Sequence, residues 1–413
     1  MTSSHRVPDG GIPAVYTTRN GVKEAARILS QGTGPIAIDT ERASSYRYDD
    51  RAFLIQLRRA DTPNVLIAPE GIRGDVRELL SPVINGQEWI IHAAATDLAC
   101  LAWLGLYPGK LFDTEVAARL LGISHPNLAF VTEEFLGIEL DKGYGGTDWS
   151  RFPLSKAQIL YAALDVDTLP ELAEEMMYEL NEEDKLRWAE EEFAAIVEEF
   201  ANVTEPAPRS WLDTRGLRAV TEPEGLAVAK AVWEARESEA RSTDRAPGQL
   251  ISNSSVIEIA KTIPRSITSL RRITQLKKRS ASELTALVNI INAAADSDPA
   301  TWPSLPEESQ DFPAKQYLKN HAPELNDLID QLRISRDELA EDLAVIPDSI
   351  VSISNLRAAA WAVHGDVSNV YYGHTAATVN NADQLNAFLH EKGLRNWQIE
   401  QLVPVLEPLL FTA

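Results

Sequence analysis

Short apolar runs of strand length mark the first part of the chain. Residues 35–39 (PIAID), 53–57 (FLIQL), 65–68 (VLIA) and 89–93 (WIIHA) are four or five residues long and rich in Ile, Val and aromatic side chains, with helical periodicity following them. That order predicts an α/β domain. Further on, apolar spacing becomes mainly helical, as in LAVAKAVWEAR from Leu226 and SELTALVNIINAAA from Ser282, which predicts small helical bundles. Two Pro-rich passages, TEPAPRSW around Pro206 and Pro208 and DSDPATWPSLPEESQDFP at residues 296–313, interrupt the pattern. Three domains are therefore expected, at residues 1–205, 215–298 and 315–413, without a long internal repeat.

A chain of 413 residues is too long for one ordinary core, and its 44% hydrophobic and 24% charged residues are the balance of a globular protein. No apolar stretch is long enough to span a bilayer, and the opening MTSSHRVPDG lacks the basic and apolar segments of a secretory signal, so a cytoplasmic location is expected. The one cysteine, Cys100, excludes an intrachain disulfide and a cysteine-cluster zinc site; it reads as packing in an apolar helix. The net charge of −22 argues against binding nucleic acid through the protein's overall field. Its distribution is uneven: residues 171–199 carry twelve acids against two bases, whereas residues 261–279 hold Lys261, Arg265, Arg271, Arg272, Lys277, Lys278 and Arg279 with no acid.

Candidate chemistry lies in three acidic places. Asp39 and Glu41 end the strand PIAIDTE with one residue between them; side chains alternate along a strand, so both share a face with Ala37 while Ile36 and Ile38 point into packing. Asp97 follows a small-residue turn in IIHAAATDLACLAWLG and starts a helix. In PLSKAQILYAALDVD, Ser155 and Gln158 stand at capping-box spacing, and Tyr161 and Asp165, four apart, share a helical face. Asp167 falls on another side and reads as structural or solvated.

These motifs together resemble ribonuclease D and its wider group of exonucleases, defined by four acidic residues in three motifs; YAALD supplies the Tyr and Asp of the tyrosine-bearing branch, and DKGYGGTDWSRFPLSKAQ is similar to the family's preceding segment. The resemblance implies an α/β ribonuclease H-like exonuclease domain followed by two all-α domains, and a metal-dependent 3′–5′ exoribonuclease acting on RNA ends, including those of tRNA precursors. It implies two divalent cations, Mg²⁺ or Mn²⁺, held by Asp39, Glu41, Asp97 and Asp165. Asp39 would bridge both ions, Glu41 and Asp165 would complete the site of the nucleophilic water, and Asp97 would serve the second ion; Tyr161 would orient the water. A DNA exonuclease, or a non-catalytic nucleic-acid-binding adaptor retaining the fold, remain alternatives. No membrane association and no obligate protein partner are expected.

The segment from Leu226 to Ala295 resembles the helical accessory domain called HRDC, through VWEARESEARSTDRAPGQLISNSSVIEIAKTIP, although RRITQLKKRSASEL replaces the usual glycine-containing turn. Its basic residues Arg271, Arg272, Lys277, Lys278 and Arg279 are candidates for holding the single-stranded substrate, against the alternative of a solvated helix face. ISRDELAEDLAVIPDSIVSISNLRAAAW and GLRNWQIEQLVPVLEPLL are similar to the C-terminal helical region of bacterial ribonuclease D homologues, expected to pack on the exonuclease domain or to bound a passage for the strand. Trp149 and Phe152 are candidates for stacking on a base, with packing of Trp149 against the sheet as the competing role. His92 reads as a satisfied strand-end histidine, Asp113 as a helix cap and Gln56 as a polar residue at the edge of the core.

Overall fold

In the computed structural model, which describes residues 8, 11–140, 143–306, 312–313, 315–365 and 378–411, the strand-length runs form one mixed sheet. Its strands are β1 (Val15–Tyr16), β2 (Thr33–Arg42), β3 (Ala52–Ala60), β4 (Val65–Ile67), β5 (Glu88–Ile91) and β6 (Lys110–Asp113), in the order β1-β4-β3-β2-β5-β6. Only β3 runs against its neighbours; β2 pairs antiparallel with it and parallel with β5. The central strand thus carries Asp39 opposite Gln56 and Glu41 opposite Leu54. Ala37 is as fully buried as Ile36 and Ile38, because both faces of this stretch of β2 are covered.

Helices α1 (Arg19–Leu29), α2 (Arg73–Ile84), α3 (Leu98–Ala102), α4 (Thr114–Leu120), α5 (Leu128–Leu136), α6 (Lys156–Asp167), α7 (Leu169–Glu182) and α8 (Leu186–Phe200) accompany the sheet. The start of α6 has the expected capping box: the Ser155 hydroxyl accepts from the Gln158 amide while the Gln158 side chain accepts from the Ser155 amide. Asp167, at its far end, is fully buried beside Asn64 and Arg58 and has a structural role.

The basic segment belongs to a second helical unit with its own core, built on α9 (Pro223–Thr243), α10 (Pro247–Leu250), α11 (Asn253–Thr262), α12 (Ile267–Leu270) and α13 (Ala281–Ala295). Gly225 lets α9 and α11 approach closely, since a Cβ there would lie 2.8 Å from the Ala260 carbonyl oxygen.

The last helices are α14 (Lys315–His321), α15 (Pro323–Asp342), α16 (Pro347–Ile350), α17 (Ile353–His364), α18 (Ala382–Glu391) and α19 (Asn396–Phe411). Unlike the second unit, they share one continuous hydrophobic core with the sheet domain. Trp397, fully buried, stacks on Trp188 of α8 at 4.8 Å and donates its indole N–H to Glu192 at 2.9 Å. The Lys185 ammonium, removed from water, is satisfied by the carbonyls of Leu120 and Ala344 at 2.9 and 3.0 Å and by Glu183 at 2.6 Å, tying both parts together. No helix among the described residues is long and apolar enough to cross a membrane.

Replacing Trp397 by Ala removes a large plug from this shared core. An expected loss of about 3–5 kcal/mol should appear as an earlier urea midpoint, whereas an unchanged midpoint would show that the two parts are only loosely joined.

Candidate active site

Two backbone devices bring the acids together. The first is the central strand itself, which ends with Asp39 and Glu41 at the opening between β3, β5 and α6. Gln56, fully buried on β3, donates to Asp39 Oδ2 at 3.1 Å and so orients the first carboxylate. The second is the turn after β5. Asp113 caps α4, accepting from the amides of Glu115 and Val116, and also accepts from those of Ala93 and Ala94 at 3.0 and 2.7 Å. Ala93 takes a left-handed conformation with φ of 60°, and the bend turns the chain into a short 3₁₀ segment ending at Asp97.

Carboxylate oxygens of Asp39, Glu41 and Asp165 all lie within 4.8 Å of one another. Asp97 stands beside this trio, accepting from the Thr40 hydroxyl at 2.5 Å and lying 3.8 Å from the Arg42 guanidinium, which also donates to the Thr96 carbonyl. Tyr161 hydrogen-bonds Asp165 across one turn of α6. Behind it, Tyr144 and Trp149 pack against its ring at centroid distances of 5.5 and 6.2 Å. Beside Glu41 a small cleft opens between residues 40–46 and 145–147. Roomier cavities occur among α14, α15 and α17 and between β6 and α8, but none of the four acids lines them.

Charge is strained here. Burial and then the charges of Asp97, Asp165 and Glu41 push the Asp39 carboxyl well above the usual range. Burial, with Asp165 and Asp97, raises Glu41 to about 9. Burial takes Asp165 to about 7 against the opposing Tyr161 hydrogen bond, and takes Asp97 to about 6 against Arg42 and Thr40. Burial and the same carboxylates also raise the Tyr161 phenol, so it is neutral throughout the physiological range. Clustered hard oxygen donors that repel when ionised suit a divalent cation of the Mg²⁺ or Mn²⁺ type, whose charge removes the repulsion.

Other residues separate from the site. His92 is paired with the Thr114 hydroxyl at 2.9 Å, and burial lowers it to about 4. Cys100 is buried against Thr40. Trp149 is fully buried, so no base can reach its ring face; in its segment the exposed aromatic is Phe152. Arg279, grouped with the basic patch from its position, is instead engaged with Glu283 at 2.7 Å and with the Leu250 carbonyl at the end of α10, and fastens two helices. Arg265 is likewise held between Glu224 and Asp296. Arg271, Arg272, Lys277 and Lys278 remain exposed. Composition alone could not expose the roles of Thr40 and Arg42; their position flanking Glu41 on β2 was the available signal.

Two carboxylates from the central strand and one from α6, with Asp97 at the start of α3 and Tyr161 one helical turn before Asp165, form the kind of acidic cluster that a metal-dependent nuclease uses. Residues 13–181 match the 3′–5′ exonuclease family, residues 225–291 the HRDC domain, and residues 311–410 the 3′ to 5′ exonuclease C-terminal domain. Ribonuclease D of Jannaschia sp. is 30% identical over 353 residues, covering 84% of this chain and 88% of that protein. A crystal structure of a protein from Bifidobacterium adolescentis is similar with a TM-score of 0.83 at 29% identity, over 98% of each chain. Escherichia coli RNase D shares the fold, with a TM-score of 0.63 at 21% identity over 92% of this chain and 98% of that one. The chain belongs to the ribonuclease D family, whose members are 3′–5′ exoribonucleases.

The raised carboxyls make stability depend on pH. In the metal-free protein these carboxyls hold protons that the unfolded chain would release, so their contribution to stability is fully present below the ordinary carboxylate range and is lost as pH rises through about 6 to about 9. Thermal unfolding in chelator should show a falling midpoint from about pH 5 to 8, and Mn²⁺ should raise the midpoint more at pH 8 than at pH 5.5. A flat profile would mean the acids are not held in this mutual strain.

Proposed function

We propose that this protein shortens RNA from the 3′ end, with two divalent cations, Mg²⁺ or Mn²⁺, held by Asp39, Glu41, Asp97 and Asp165, and with Tyr161 aligning the attacking water. The convergence of the Asp39, Glu41 and Asp165 carboxylates carries this reading. Bound cations would supply an ionised water and would offset charge developing on phosphorus and on the departing 3′ oxygen. The remaining work falls to the chain. Gln56 and Thr40 hold Asp39 and Asp97 in fixed orientations. Arg42 partly offsets the charge of Asp97 and Glu41. Tyr161 keeps its proton and therefore acts by hydrogen bonding rather than as a base.

Ends of structured RNA precursors, tRNA among them, are the substrate class. Ribonuclease D relatives support RNA over DNA, and the Escherichia coli enzyme is described as an exoribonuclease involved in structured RNA processing. Away from the acids, the exposed cations Arg271, Arg272, Lys277 and Lys278 offer a surface for the body of the strand, while the −22 net charge keeps phosphate contact local.

End-labelled RNA incubated with Mg²⁺ or Mn²⁺ should release mononucleotides from its 3′ end, and excess chelator should stop it. Asp39→Asn should abolish release, whereas Tyr161→Phe should leave measurable residual activity; turnover that persists in chelator would overturn the metal-dependent reading. Reversing Lys277 and Lys278 to Glu should raise KM for a long RNA and flatten its dependence on salt, by about 0.7 in log–log slope for each phosphate the variant no longer neutralises. An unaltered salt slope would remove these lysines from the RNA path.

A further inference from the structure

The loop leaving the catalytic strand is built against the HRDC unit. Between β2 and β3, residues 43–51 begin two residues after Glu41, and three of their carbonyls accept from the second unit or its approach. Gln249 Nε2 donates to the Ser45 carbonyl at 2.8 Å, the Ala246 amide to Tyr46 at 3.1 Å, and Arg209 to Tyr48 at 3.2 Å. The Tyr48 ring lies under two guanidinium groups, those of Arg209 and Arg241, at 5.4 and 5.6 Å.

Asp244 is the hub of this contact. It ends α9 in a left-handed conformation with φ of 48°, which Asp and Asn tolerate better than most residues. Its carboxylate receives a two-pronged guanidinium contact from Arg51 at 3.0 and 2.7 Å, a contact from Arg47 at 3.3 Å, and the Tyr48 amide at 3.5 Å. Such a fork fixes direction as well as distance.

The opposite side of the loop reaches the tyrosine of the site. Tyr46 donates to the Gly146 carbonyl at 3.3 Å, and Arg47 Nε donates to the Ser150 hydroxyl at 2.8 Å. Ala43, Tyr46, Tyr144, Trp149 and Tyr161 belong to one small cluster. One short loop therefore joins the end of the catalytic strand, the packing behind Tyr161 and the second unit.

We infer that Asp244 is a positioning residue for the exonuclease reaction, through which the HRDC unit holds the β2–β3 loop and with it the alignment of Glu41 and Tyr161. The HRDC unit then has a part in the chemical step separate from holding RNA. This inference rests on the proposed assignment of Glu41 and Tyr161 to the active site.

The test uses the full chain, Mn²⁺ and a labelled tetranucleotide RNA, whose few phosphates leave little to bind beyond the acidic site. Asp244→Asn preserves the residue shape suited to the left-handed bend while removing the charge that Arg51 and Arg47 grip. It should lower kcat about ten-fold, as expected for a small displacement of reacting groups, with KM within about two-fold of wild type and the thermal midpoint close to wild type. Gln249→Ala, which removes only the hydrogen bond to Ser45, should show a smaller fall of the same kind. Unchanged kcat in Asp244→Asn, or a rise in KM alone, would overturn the inference and leave the HRDC unit a substrate holder. Asp39→Asn run alongside separates the two levels: if it retains activity, the site assignment itself has failed, and if it is inactive while Asp244→Asn is unaffected, only the positioning role has failed.

Discussion

Mutual repulsion among carboxylates is the constraint around which this molecule is arranged. Two unit charges about 4 Å apart repel by about 4 kcal/mol at an effective dielectric near 20, and Asp39, Glu41 and Asp165 are packed within 4.8 Å in a largely buried place. Such a cluster does not assemble through its own contacts. The acids come from three pieces of rigid backbone: the central strand carries Asp39 and Glu41, one face of α6 carries Asp165, and a bent turn after β5, pinned by Asp113, brings Asp97 alongside. The scaffold works against the charge until a cation relieves it, which keeps the site prepared for metal.

Opposing supports explain several details that are otherwise unrelated. Gln56 would be an odd residue inside a sheet unless its amide had an acceptor, and Asp39 is that acceptor. Thr40 points away from the trio and donates to Asp97 instead. Arg42, the next residue after Glu41, places a positive charge near the fourth acid without entering the cluster. Alternation along one strand thereby sends acids to one side and their helpers to the other.

Much of this was legible from local spacing because strand and helix periods determine which neighbours share a face. The central strands, the Asp39 and Glu41 pair, the shared face of Tyr161 and Asp165, and the Ser155–Gln158 cap are all short-range patterns. The edge strands β1 and β6 are not among the four apolar runs, because β1 has two residues and β6 only Leu111 and Phe112 as apolar positions between Lys110 and Asp113. Other features depend on partners distant in sequence. Asp113 looks like an ordinary cap until Ala93 and Ala94 fold onto it. Arg279 looks like part of a free basic run until α10 brings the Leu250 carbonyl to it. Trp149 looks available for stacking until the small cluster that includes Tyr161 buries it.

The shared core between the sheet domain and the last helices affects how the protein is born. Trp397 meets Glu191 and Glu192 of α8 across separations of 206 and 205 residues. During synthesis the apolar side of α8 therefore emerges long before its cover does, while the HRDC unit, with a core of its own, can close in between. The exonuclease domain's core is finished only when one of the last helices arrives, so the nascent chain carries exposed apolar surface through the second half of its translation. The molecule is assembled from its two ends inward in space, although it is made from one end to the other in time.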